Sequence, residues 1–108
     1  MRHDPLGIAG GRRSGLAHAY FFLNRHEEAL HWAEGHARDN PKAHPAYRIG
    51  AASAALAGKK DQAQSFAAGL KRVDPAFRVS RLEDHLGPYP SEFLERYKQG
   101  LRLAGLPE

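Results

Sequence analysis

Cysteine is absent from this sequence of 108 residues. The chain can therefore build neither a disulfide framework nor a thiolate metal site, and a reducing compartment suits it. Long apolar runs are missing too. The N-terminus reads MRHDPLG and continues into GGRRSG, without the length of a signal-peptide core or a membrane span. The expected setting is soluble and cytoplasmic, with no membrane partner. Strand signals are scarce: there is no sustained alternation, and β-branched residues are few. An all-α fold is what remains. The length suffices for one domain with a modest core, not for two. Formal net charge is +4 with seven histidines, and the pI is about 9.7. Such a charge attracts acidic partners, but it is also an ordinary solubility charge for a small domain, and the latter reading carries more weight.

What the chain does have is a statement made twice. LNRHEEALHWAEGHARDNP from Leu23 is echoed by AGKKDQAQSFAAGLKRVDP from Ala57, 34 residues later. The register pairs Ala29 with Ala63, Ala33 with Ala67, Ala37 with Lys71 and Pro41 with Pro75. Asn24 and Gly58, both tolerant of left-handed backbone, mark the turn before each copy. An internal repeat of this length is the signature of a helical solenoid.

The helices follow from apolar spacing and breakers. Asp4-Pro5 is a helix start, but the glycines of LGIAGGRRSG leave that segment frayed until Gly15. Leu16, Ala17, Tyr20 and Leu23 then form one stripe, and Asn24-Arg25 turns. A second helix spans about His26 to Arg38 with Ala29, Leu30, Ala33 and Ala37 inward, and Asp39-Asn40-Pro41 stops it. A third covers about Pro45 to Ala57, and a fourth about Asp61 to Val73 with Ala63, Phe66, Ala67 and Leu70 inward. Val79, Leu82 and Leu86 support a short fifth helix. A sixth opens at Pro90 or Ser91 and runs to about Ala104, with Leu94, Tyr97 and Leu101 on one side.

The pattern resembles the tetratricopeptide repeat, a 34-residue helix–turn–helix. The first unit reads Arg13-x2-Leu16-Ala17-x2-Tyr20, then Ala29, Ala33, His36 and Pro41. The second reads Tyr47-x2-Gly50-Ala51-x2-Ala54, then Ala63, Ala67, Leu70 and Pro75. Arginine in the tryptophan place and histidine in the last alanine place are departures, so the first unit should pack less well. The resemblance implies a right-handed solenoid of helical hairpins. Repeat one covers about 10–43, repeat two about 44–77, and a divergent capping helix pair about 78–105. The tail, LKRVDPAFRVSRL and then FLERYKQGLRLAGLPE, is similar to the C-terminal repeat region of bacterial multidomain proteins that carry a nucleotide-cyclase or winged-helix domain in front. That likeness implies a free-standing piece of such a region, without its catalytic or DNA-reading half.

The resemblance also implies a function, protein–protein interaction. The concave groove of such repeats is lined by the first helix of each pair. It would present Ser14, His18, Phe21 and Phe22 from the first unit with Arg48, Ile49, Ala52 and Leu56 from the second. The lysine and asparagine clamp that some family members close on a terminal carboxylate is absent, since Ser14, His18 and Ile49 stand in its places. A peptide or partner helix is the expected ligand, and Phe21 and Phe22 either anchor it or pack under the frayed N-terminal segment.

Nothing catalytic stands beside that reading. GIAGGRRSG lacks the lysine and preceding strand of a phosphate loop, and no nucleophile is linked to a base and an orienting group. The chain is therefore expected not to be an enzyme and to need no cofactor. Glu27, His31 and Glu34 share one helix face at a spacing that can hold a metal, but surface Glu–His pairing is far commoner, so no metal is expected. The alternative function is nucleic-acid binding through Arg12-Arg13, Lys59-Lys60 and Lys71-Arg72. No stacking aromatics interleave with these pairs, so nucleic acid is the weaker partner. Finally, a glycine-rich N-terminal segment is a poor lid over Leu16, Tyr20, Phe21 and Phe22, and an uncovered apolar patch of that kind favours a homodimer.

Overall fold

The computed structural model describes residues 13–86 and 89–108, with side chains from Gly15 onward. The expected start at Asp4-Pro5 and the glycine-rich segment up to Arg12 lie outside the described residues. The fold is all-α. Among the described residues five α-helices run α1 (Arg13–Phe22), α2 (His26–Asp39), α3 (His44–Leu56), α4 (Lys60–Val73) and α5 (Ser91–Leu103), with a 3-10 helix at Val79–His85 between the last two. No strand occurs among the described residues.

The repeat written in the sequence is repeated in the backbone. The second helices of the two hairpins begin at residues 26 and 60 and end at 39 and 73, both 34 apart. Asn24 turns the chain at φ 61° and Gly58 at φ 79°. The residues entering α2 and α4, Arg25 and Lys59, share nearly one conformation (φ/ψ −101°/72° and −95°/77°). The residues leaving them, Asn40 and Asp74, share another (−142°/84° and −143°/84°). The turn bonds repeat as well: Arg25 N–H donates to Tyr20 C=O as Lys59 N–H does to Ala54 C=O. Connections this short leave each pair, α1 with α2 and α3 with α4, as antiparallel neighbours. The expected inward residues Ala29, Ala33, Ala63 and Ala67 are all buried.

The centre of the molecule is α3, which packs against α1, α2, α4 and α5. Every residue from Ala46 to Ala54 is buried. A helix enclosed on all sides must be thin, and AYRIGAASA supplies small residues where neighbours come close. A methyl on Gly50 would stand 2.6 Å from the Phe66 ring, and one on Gly69 of α4 would stand 2.5 Å from the Tyr47 ring. Hydrogen at these two positions is what lets the aromatic rings of the second hairpin lie flat on the opposing helix.

The C-terminal region departs from expectation twice. The fifth element is a 3-10 helix, not an α-helix. It buries only Val79 and Leu82, three residues apart, which fits three residues per turn, and Arg81 leaves the helical region at φ −109°, ψ 19°. The last helix does touch it, with Lys98 Nζ 2.9 Å from Glu83 Oε2, but the two do not simply close the far end of the stack. Instead α5 packs on α3 and reaches α1, the first helix of each hairpin. Its tail then returns to the 3-10 helix, where Val79 N–H donates to Pro107 C=O at 2.8 Å and Ser80 N–H to Glu108 C=O at 3.1 Å.

Candidate functional site

The face built by α1 and α3 is where the sequence places a partner groove, and α5 lies along it. The sequence of α5 explains why. Phe93, Leu94, Tyr97, Gly100, Leu101 and Ala104 recur at helical spacing and form one apolar stripe, while Glu92, Glu95, Gln99 and Arg102 face water. Tyr97 and Leu101 are fully enclosed, at 2% and 0% exposure. The helix runs antiparallel to α1. Its first turn meets the end of α1, where Phe22 packs against Phe93 and Tyr89. One turn on, Tyr97 contacts Phe21 at 5.2 Å between ring centroids and His18 at 5.6 Å. At Gly100 the backbone of α5 settles directly on Ala52 of α3.

Polar groups fix the docking. The Tyr97 hydroxyl and His18 Nε2 share a hydrogen bond of 3.0 Å. Burial pushes the Tyr97 phenol up to about 12, against the opposing charge of Arg48. Arg96 Nη2 donates to the carbonyls of Phe22 at 3.2 Å and Phe21 at 3.4 Å. Both carbonyls end α1, where Phe21 C=O also accepts from Asn24 N–H at 3.0 Å, and a cation there complements the helix dipole. The same guanidinium lies over the rings of Phe21 and Phe93, 5.5 and 5.3 Å from their centroids.

Of the eight residues expected to line the groove, the structure brings His18, Phe21, Phe22 and Ala52 together beneath α5. Phe21, Ile49 and Ala52 are completely buried, His18 and Arg48 nearly so, and Phe22 and Leu56 partly. The Ser14 side chain lies outside the described residues. The apolar patch expected to be bare is therefore covered at Phe21 and Phe22, by a helix from the far end of the chain. Leu16 and Tyr20 remain half-exposed. Among the described residues the large hydrophobics left exposed are Leu23 and Leu103.

The residues sequence reasoning missed are Phe93, Arg96 and Gly100, the counterparts on α5. The stripe itself was readable; the surface it covers was not. The Arg12-Arg13 pair is not described. Lys59-Lys60 and Lys71-Arg72 fall at opposite ends of α4, so they do not make one stripe. In the Glu27, His31 and Glu34 set, Glu34 accepts a hydrogen bond from Gln62 of α4 at 2.7 Å, which ties the second helices of the two hairpins together. A broad depression beside this contact, between α2 and α4, is lined by Arg38, Tyr47, Phe66 and Arg72.

Arg48 also faces a second group of side chains. Its Nη1 stands 2.7 Å from His44 Nδ1, and His44 Nε2 stands 3.0 Å from Asp74 Oδ2. With Arg48 as obligate donor, Nδ1 accepts and Nε2 carries the proton given to Asp74. His44 holds its proton less tightly than usual, first because of burial and then through the charges of Arg48 and His85; the hydrogen bond to Asp74 works the other way.

Compared with family models, with curated proteins and with solved structures, the chain matches none.

Proposed function

We propose that this chain is a non-catalytic interaction module of tetratricopeptide-like hairpins, whose concave groove receives an amphipathic helix. One observation carries the reading: the α1–α3 face already holds such a helix, α5, seated through Tyr97, Gly100 and Leu101. The groove thus has the width and chemistry for a helix with an aromatic anchor and a small residue three positions later. A partner helix of that pattern takes the place of α5, so the chain regulates its own groove by holding a ligand in cis. The backbone repeat at 34 residues supports the hairpin assignment.

A labelled peptide of residues 89–104 tests this. It should bind the full chain weakly, because α5 competes from within at high effective concentration. It should bind a Tyr97→Ala chain more tightly, because the internal competitor is loosened. Equal or absent binding to the two chains would remove the reading.

A further inference from the structure

Three side chains from three elements meet at the base of α3. His44 begins α3, Asp74 follows the last residue of α4, and His85 ends the 3-10 helix. One ligand-capable atom of each lies within 4.8 Å of the other two. The His44 and His85 rings are stacked, 4.5 Å between centroids and 28° between planes. Phe77 packs against both, at 5.7 and 5.6 Å, and walls one side of the cluster with apolar surface. His44 and Asp74 are half-buried while His85 is exposed, so the cluster opens to solvent on one side.

We propose that His44, Asp74 and His85 form a site for a divalent transition metal of the Zn2+ type. Two imidazoles and one carboxylate are a donor set that Zn2+ accepts in four-coordination, with the open side left for a ligand from solvent. A metal requires the neutral imidazole, and His44 Nε2, the ring nitrogen that faces Asp74, is the atom it would take. The ion would staple the segment after α4 to the start of α3. It would add to the bonds that tie the segment to the C-terminal tail at Val79 and Ser80, and metal ligation compensates for a small core. Coordination through His44 Nε2 moves the remaining ring proton to Nδ1. Arg48 must then give up its bond there and turn to the Tyr97 hydroxyl, with which it already interacts. Arg48 is therefore a competitor of the metal, and the site is wired to the residue that seats α5.

Titration calorimetry of Zn2+ into the full chain, repeated with Co2+ by absorption spectroscopy, tests the site. One ion per chain is expected. His85→Ala and Asp74→Asn should each weaken binding by about tenfold or more, since loss of even an outer partner of a metal ligand costs that much. His85 is exposed, so its replacement leaves folding intact, which circular dichroism would verify. The chain has seven histidines, so His31→Ala, on the exposed face of α2, serves as the control and should change nothing. Arg48→Met should tighten binding, an effect no purely structural role of His44 produces. Absence of binding, or equal weakening by His31→Ala and His85→Ala, would overturn the proposal, as would a failure of Arg48→Met to raise affinity.

Discussion

A single hydrogen atom sets how closely α5 approaches the rest of the protein. A methyl added at Gly100 would stand 2.8 Å from the carbonyl oxygen of Ala52 and 2.9 Å from its Cα, both backbone atoms that cannot swing aside. Gly100→Ala should therefore push α5 off α3 and cost about 1–3 kcal/mol despite the better helix propensity of alanine. A urea titration measures it, and an unchanged or raised midpoint would mean that α5 does not sit as described. Small residues were legible as a class, because alanine and glycine on an apolar stripe announce close approach. Which helix approaches was not legible. Gly50 could be read as a family position, whereas Gly69 and Gly100 became meaningful only once the Tyr47 ring and the Ala52 backbone stood over them.

At the scale of elements, the end of α1 and both ends of α2, α3 and α4 were readable to within about two residues because the chain carries its own breakers: Asn24, Pro41, Gly58 and Pro75 are local instructions. The last two elements were harder for physical reasons. Val79 and Leu82 fit either an α or a 3-10 turn, and only the backbone bonds of the folded chain, Arg81 N–H to Arg78 C=O and Leu86 N–H to Glu83 C=O, decide it. The direction of α5 depends on contacts with residues far earlier in the chain, which no local pattern encodes. Of the residues expected in a groove, His18, Phe21, Phe22 and Ala52 meet on one face beneath α5, while the His44, Asp74 and His85 cluster was invisible because no local pattern encodes it. His44 lies just before the expected third helix and Asp74 just after the expected fourth, and their meeting is a product of the tertiary fold.

For the whole molecule, proton uptake ties stability to pH. His26 and His44 both bind protons less readily in the folded chain than in the unfolded one. Burial is the larger cause in each, with Arg96 adding to it at His26 and Arg48 at His44. Unfolded imidazoles titrate near 6.5, so above that pH neither state is charged and stability is complete. As the pH falls below about 6.5 the unfolded chain takes up protons first, and stability declines until the depressed folded values have been passed. The urea midpoint should therefore drop between about pH 7.5 and about pH 5. A flat profile over that range would contradict the burial of both rings.

The contact between His18 and Tyr97, 79 residues apart, also sets an order in time. The turns at Asn24 and Gly58 close short loops, so both hairpins can form early, as local contacts generally do. Docking of α5 must wait until the surface it covers exists, because it has to close nearly the whole chain. Interactions made that late belong to the far side of the folding barrier. Replacements in α5, Gly100→Ala among them, should speed unfolding while leaving the refolding rate almost unchanged, whereas Ala29→Gly within the first hairpin should slow refolding. Stopped-flow measurements separate the two. Equal effects on both limbs for the α5 variant would place its docking before the barrier, and the last helix would then guide the assembly of the other four.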